Sequence, residues 1–485
     1  MDTLKAQPQA GANISKAGYL TAPAETAKMP PGVPFIVGNE LAERFSFYGM
    51  RAILVVFMTK YLMAANGTPD HMTDSDADGW FHLFVASAYF FPLFGAVIAD
   101  VFLGKYMTIM SLSIVYCLGH LALALNDTRF GLAVGLSLIA IGSGGIKPCV
   151  SANVGDQFGA TNRHLLTKVY SWFYFSINVG SAISMLLIPK LLDDKRYGPH
   201  VAFGVPGLLM LLATIIFWLG RKKFVHIQPR GGRPVGKEFR EGGLGAIPKL
   251  LGEFWREVFS TGGLKVLLGL IPIYACIAVF WSLYDQCSSK WVQQADKMNL
   301  HWLGRDWQPA QLQAINPILI LIYIPLFTYV IYPVLNKIFP LTPLRKMSIG
   351  FFFAALSWVV PAYVETRIGA GFKPTIAWQF LAYTFLMASE IMVYATGLEF
   401  SYTQAPKRMK SMVMSLFLLT NSVGNLFTSA VNFLNQNEDK TTKLAGANYY
   451  FFFAGLMFLT AMIFILVAKN YRGQAYVEQA QKPPA

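Results

Sequence analysis

The chain has 485 residues, 54% of them hydrophobic and 14% charged, where a soluble globular protein carries about a quarter charged residues; this excludes a soluble domain and indicates a polytopic membrane protein. The net charge of +14 does not signal nucleic acid, because lysines and arginines concentrate in the termini and alternate loops, as they do on the cytoplasmic side of a membrane protein. No nucleophile-base pair or metal-ligand spacing stands out, so neither an enzyme nor a metal or organic cofactor is expected.

Apolar stretches of about twenty residues or more, each long enough to cross a hydrocarbon core of about 30 Å as a helix, recur after residue 33. Twelve are predicted, at 34–63, 79–103, 106–126, 130–157, 165–192, 200–224, 264–289, 311–337, 345–368, 374–402, 411–435 and 447–470. Helices are required because backbone groups in lipid must be satisfied within the segment, and no ten-residue alternation suggests a barrel. Residues 1–33, rich in Ala, Pro and Gly, read as a disordered cytoplasmic tail rather than a signal peptide. The charge pattern predicts both termini, including 472–485, on the cytoplasmic side, with the acidic loop Asp70 to Asp78 outside.

In the first span Glu40, Glu43, Arg44, Phe47, Tyr48 and Arg51 follow steps of three and four, so one helix face carries acids, bases and a phenol. Each charge near a bilayer centre costs roughly 2.5 to 3.5 kcal/mol. The stripe therefore faces protein or water: it lines a water-filled pathway or stitches helices together through ion pairs. The second span places His82 and Tyr89 seven residues apart on one face. His82 is either an interfacial group near a helix end or a proton switch. "GAVIADVFLGKY" then makes a tight turn with Asp100, Gly104 and Lys105; it resembles the cytoplasmic gate motif of major-facilitator proteins, with a plain interfacial turn as the alternative.

The fourth span puts Ser143, Lys147 and Ser151 on one face, with no acid near Lys147 in its own apolar stretch. Its partner must come from another helix or from a ligand, since a buried lysine alone is costly. Tyr174, Asn178 and Ser181 in the fifth span could bind a polar ligand or hold helices together. The polar segment Arg221 to Gly263 divides the spans six and six, the division of a major-facilitator transporter with substrate near the midplane. The expected organisation is thus a tail at 1–33, a bundle at 34–224, a cytoplasmic linker at 225–263 with a possible amphipathic helix at 246–259, a second bundle at 264–471, and a tail at 472–485.

In the second half, Trp281 and Asp285 lie one turn apart in the seventh span, and Asp285 must pair or protonate. Asn316 precedes Pro317 in the eighth; Glu390, Tyr394 and Gly397 share a face in the tenth. The four cysteines have unrelated spacings and read as packing residues. Acids on spans one, seven and ten and bases on spans one and four suit a zwitterionic ligand held between the halves.

"NELAERFSFYG" resembles the E-x-x-E-R-F-x-Y-Y-G motif of proton-dependent oligopeptide transporters. "GSGGIKPCVSANVGDQF", "FYFSINVGS" and "GLEFSYTQAP" resemble further diagnostic segments of that family. The resemblance implies an all-α membrane protein of twelve transmembrane helices in the major facilitator fold, importing di- and tripeptides with protons as the coupling ion. It implies proton coupling by Glu40, Glu43, Arg44, His82 and Asp285. Peptide contacts would come from Arg44, Tyr48, Arg51, Tyr89, Lys147, Tyr174, Asn178, Trp281, Asn316 and Glu390, and gating from Arg51, Asp285 and Lys147. The linker has no room for the two extra helices of many bacterial members, and "ETRIGAGFKP" is too short for the extracellular domain of animal members. His82, Trp281 and Asp285 resemble the animal arrangement, whereas Phe417 stands where animal members often have Trp. The expectation is a monomeric bacterial member with an animal-like core in the cytoplasmic membrane; a carrier of nitrate or another small anion is the alternative.

Overall fold

The computed structural model describes residues 19–23, 25–226, 261–404, 410–437, 439 and 441–471; the expected linker helix at 246–259 lies outside them. The first half comprises α1 (Val33–Lys60), α2 (Asp74–Phe90), α3 (Lys105–Leu125), α4 (Arg129–Asp156), α5 (Leu166–Asp193) and α6 (Gly198–Leu219). The second comprises α7 (Thr261–Tyr284), α8 (Ile315–Leu326), α9 (Pro343–Gly369), α10 (Ala377–Glu390), α11 (Lys410–Asn435) and α12 (Ala447–Asn470). Several of these continue through short irregular turns. α2 resumes at Pro92–Val97 and ends in a π turn, Ile98–Leu103; α7 passes through a 3-10 turn, Asp285–Ser288, into Lys290–Ala295. α8 and α10 run on through π turns at Phe327–Ile331 and Ile391–Ala395.

Among the described residues, 11 helical segments are long and apolar enough to cross a membrane. The remaining long helix is α1, whose 28 residues span about 42 Å at about 1.5 Å per residue; Glu40, Glu43, Arg44 and Arg51 lower its hydropathy. The second span starts earlier than the apolar run suggests. Thr73 accepts a hydrogen bond from the Asp76 backbone N–H at 3.1 Å, and Asp74 and Asp76 occupy the first turn, where acids favour the positive helix end. The expected acidic loop is therefore helical from Asp74 onward. A two-stranded hairpin, β1 (His301–Trp302) and β2 (Arg305–Asp306), was not expected; its turn residues Leu303 and Gly304 have φ of 53° and 72°, as a tight two-residue hairpin requires.

Two separate apolar cores underlie the halves, one with buried residues from Val33 to Phe224 and the other from Leu270 to Phe464. α1 packs on α5 and α6, and α3 on α4; in the second half α9 packs on α12 and α7 on α11. The halves meet where α2 lies against α11 and α5 against α8. At one end, here called terminal, the starts of α1 and α7 lie with the ends of α6 and α12; the α1–α2 connection marks the distal end.

Polar contacts seal the halves together at the distal end. Ser75 Oγ donates to the Asn432 carbonyl at 2.7 Å, Ser429 Oγ to Gly79 at 2.8 Å and Ser422 Oγ to Ala86 at 2.8 Å. Gln311 donates to the Leu186 carbonyl at 2.7 Å and Gln313 to Ala52 at 2.9 Å. Lys290 pairs with Asp78 across the same seam at 3.2 Å.

Candidate functional site

Between the halves lies a cavity of about 760 Å³. It runs from the Arg51–Asp285 pair to Lys105 and Met414, close to the terminal ends of α3 and α11. Its wall includes Arg44, Tyr48, Arg51, Tyr89, Lys147, Tyr174 and Asn178 from the first half, and Trp281, Asp285, Asn316 and Glu390 from the second. All the residues expected to contact peptide thus line one space. Glu40, Glu43 and His82 do not line it; they are buried behind its wall, each at most 2% exposed.

The stripe on α1 organises the first-half wall. Arg44, Tyr48 and Arg51 face the cavity, and Arg44 turns its Nε onto Glu40 Oε1 at 2.6 Å and lies 3.1 Å from Glu43 Oε2. The two acids differ. Glu40 accepts the Arg44 hydrogen bond, whereas neither Glu43 oxygen receives a hydrogen bond of good geometry. Lys147 also acts on Glu43 through its charge, and Tyr116 as a hydrogen-bonding side chain.

Lys147 has no hydrogen-bond acceptor. Its ammonium instead stands over the rings of Phe47 and Tyr89, 4.4 and 4.2 Å from their centroids, a cation–π cradle. The sequence left its partner to another helix or a ligand; two aromatic rings hold it, and it takes no part in the Arg51–Asp285 contact.

That contact closes the cavity at its deep end. Arg51 Nη2 donates to Asp285 Oδ1 at 2.5 Å, while Asp285 Oδ2 accepts from Asn425 at 2.7 Å and Asn421 at 3.1 Å. Because the Asn425 amide nitrogen is directed to Asp285, its oxygen faces His82 Nδ1 at 2.7 Å, and Ser289 Oγ lies 3.0 Å from His82 Nε2. This network has Nδ1 donating to the Asn425 oxygen, while Nε2 faces a hydroxyl that can donate or accept. His82 is fully buried, which corrects the interfacial reading.

In the second half Tyr284 donates to Glu390 Oε2 at 2.6 Å and accepts from the Asn316 amide at 2.7 Å. Trp281 packs edge-on against Tyr284 and Tyr394, at 5.1 and 5.2 Å between centroids. Asn178 spends an amide hydrogen on the Tyr174 carbonyl of its own helix at 2.9 Å.

Four residues of this arrangement escaped the sequence reading: Tyr116, Tyr284, Asn421 and Asn425. A signal existed for the last two, since Asn421, Asn425, Thr428, Asn432 and Asn435 step by four and three along an apolar span, as the α1 stripe does. At the turn after α2, Gly104 adopts φ of 75°, open to glycine at little cost, and Lys105 pairs with Asp156 at 2.6 Å. The Asp100 side chain lies outside the described part of the chain.

The model of the POT family matches residues 106–250 and 251–449. Solute carrier family 15 member 2 from Rattus norvegicus is 38% identical over 402 residues, covering 76% of this chain and 54% of that protein; the chain thus spans about half the length of this relative. A crystal structure of the POT family transporter PepTSo superposes with a TM-score of 0.80 at 36% identity, covering 94% of this chain and 99% of that one. A crystal structure described as a proton dependent oligopeptide (POT) family transporter gives 0.72 at 37% identity, covering 89% of this chain and 100% of that one.

Proposed function

The chain belongs to the POT family, and from that premise we propose that it is a monomeric symporter importing di- and tripeptides with protons across a bacterial cytoplasmic membrane. One observation carries the reading: a single cavity between the halves is cationic on one wall, with Arg44, Arg51 and Lys147, and acidic on the other, with Glu390. A peptide's carboxylate suits the first wall and its ammonium the second. The solved relative described as proton dependent and oligopeptide-directed supports the same cargo and coupling ion. Glu390 in the wall disfavours nitrate or another small anion.

The bundles at 34–224 and 264–471 move against each other about the central cavity, with the segments 1–33, 225–263 and 472–485 on the cytoplasmic side. With the termini inside, the distal seal faces outward and the structure is the inward-facing state. Opening the distal end separates Arg51 from Asp285. Asp285, His82 and the Glu40–Glu43 cluster are then the groups that take protons from outside. Tyr48, Tyr89, Tyr174, Asn178, Trp281 and Asn316 contact the peptide between its charged ends. Neutralised acids are cheaper to occlude, so proton and peptide each favour the closed intermediate. The membrane potential adds about 2.3 kcal/mol per charge per 100 mV inward.

The test is uptake of radiolabelled dialanine into proteoliposomes under an imposed pH gradient. Accumulation that collapses with the gradient and is blocked by trialanine, but not by alanine or nitrate, is the expected result. Absence of gradient-driven dialanine accumulation, or its competition by nitrate, would overturn the proposal.

A further inference from the structure

Tyr284 ends the regular part of α7, and Asp285 begins the 3-10 turn that follows. Its ring is held between Phe280 and Trp281, at 5.5 and 5.1 Å between centroids, so its hydroxyl has a fixed place in the cavity wall. There it donates to Glu390 at 2.6 Å and accepts from Asn316 at 2.7 Å. Tyr284, Asn316 and Glu390 all line the cavity. A hydrogen bond to a carboxylate is among the stronger ones, and this one comes from the protein itself, on the group that a ligand's ammonium would seek.

We infer that the Tyr284 hydroxyl is a built-in occupant of the ammonium site, which an incoming primary amine must displace from Glu390. The inference rests on the peptide reading of this cavity and adds a selectivity device to it. In the empty cavity the hydroxyl satisfies Glu390, so a ligand without an amine leaves the Tyr284–Glu390 bond intact and gains nothing from that carboxylate. An ammonium brings charge as well as a hydrogen bond and wins the exchange. The Tyr284 oxygen, fixed by the ring packing, goes on accepting from Asn316, and the displaced hydroxyl hydrogen is free to turn to a carbonyl of the same ligand. Amine recognition and carbonyl recognition are thereby linked through one hydroxyl. Tyr284 acts on the amine through Glu390 and is a positioning residue.

Tyr284→Phe keeps the ring packing and removes only the hydroxyl. In the purified full chain, we expect it to tighten binding of dialanine about tenfold, the scale of one hydrogen bond to a charged group, while binding of N-acetyl-dialanine stays unchanged. In a Glu390→Ala background the same substitution should leave dialanine binding unaltered, because no acceptor remains at 390 for hydroxyl and ammonium to compete over. A purely structural role would shift both ligands together. Equal changes for the two ligands, no change for either, or a tightening that persists with Glu390→Ala would each overturn the inference. Wild-type protein that fails to bind dialanine would instead remove the peptide reading itself, so the two failures are distinguishable.

Discussion

Among the buried charged residues, Glu43 and Lys147 are the most exacting. A buried carboxylate with an ion pair but no well-formed hydrogen bond recovers only part of its lost hydration, whereas a neutral carboxyl in the same place loses much less. Glu43 is 2% exposed and lacks a well-formed hydrogen bond, while Glu40 beside it is bonded by Arg44. Under the proposed symport, Glu43 rather than Glu40 is the candidate for the proton carried through the closed intermediate, since it keeps only the 3.1 Å ion pair with Arg44. Glu43→Gln should abolish pH-driven accumulation of dialanine and spare counterflow, measured in the same proteoliposomes; retained accumulation against a gradient would sink this assignment. These charged positions were legible in the sequence because an ionisable group in an apolar span is conspicuous. Their partners were not, because the Phe47 and Tyr89 rings beneath Lys147, and the Asn421 and Asn425 amides on Asp285, come from other helices or are uncharged.

Periodicity and length revealed the helices themselves, with most ends within a few residues. It failed where the backbone departs from the α form. The π turn at Ile391–Ala395, immediately after Glu390, and the 3-10 turn beginning at Asp285 leave no mark in hydropathy, yet both adjoin charged wall residues. Close helix approach is equally silent in a hydropathy profile. A Cβ on Gly424 in α11 would collide with the Ala278 carbonyl of α7 and lie 2.8 Å from Trp281 Cβ, so two backbones would have to separate. Gly424→Ala should destabilise the protein by about 1–3 kcal/mol, the usual penalty of overpacking. Gly455 in α12 has nothing within 4 Å of its would-be Cβ, and Gly455→Ala should leave stability unchanged or raise it by up to about 1 kcal/mol. Thermal unfolding in detergent checks both, and equal melting points for the two variants would contradict the packing argument.

At the scale of the molecule, the division into halves could be read from the one long polar segment, but the end at which they meet could not. The proposed alternating access requires one sequence to support packings closed at either end, which differ in the surfaces that touch. In the structure the Arg51–Asp285 ion pair of the distal seal is more buried than Lys290–Asp78, its residues being 5% and 1% exposed. Removing one partner of such a pair leaves the other uncompensated, at a cost of about 3–5 kcal/mol. That cost falls on the distally closed state, because opening this end lets water reach Arg51. Asp285→Asn should therefore shift the population toward distal opening; about 5.5 kcal/mol is enough to carry a 1:99 equilibrium to 99:1. Ser75 reports on the change, being 2% exposed and bonded across the seam to Asn432. With the four native cysteines replaced, Ser75→Cys should react faster with an impermeant maleimide applied at the distal face when Asp285→Asn is also present. An unchanged labelling rate would mean that the serine, glutamine and lysine contacts between the halves hold the seal without the buried pair.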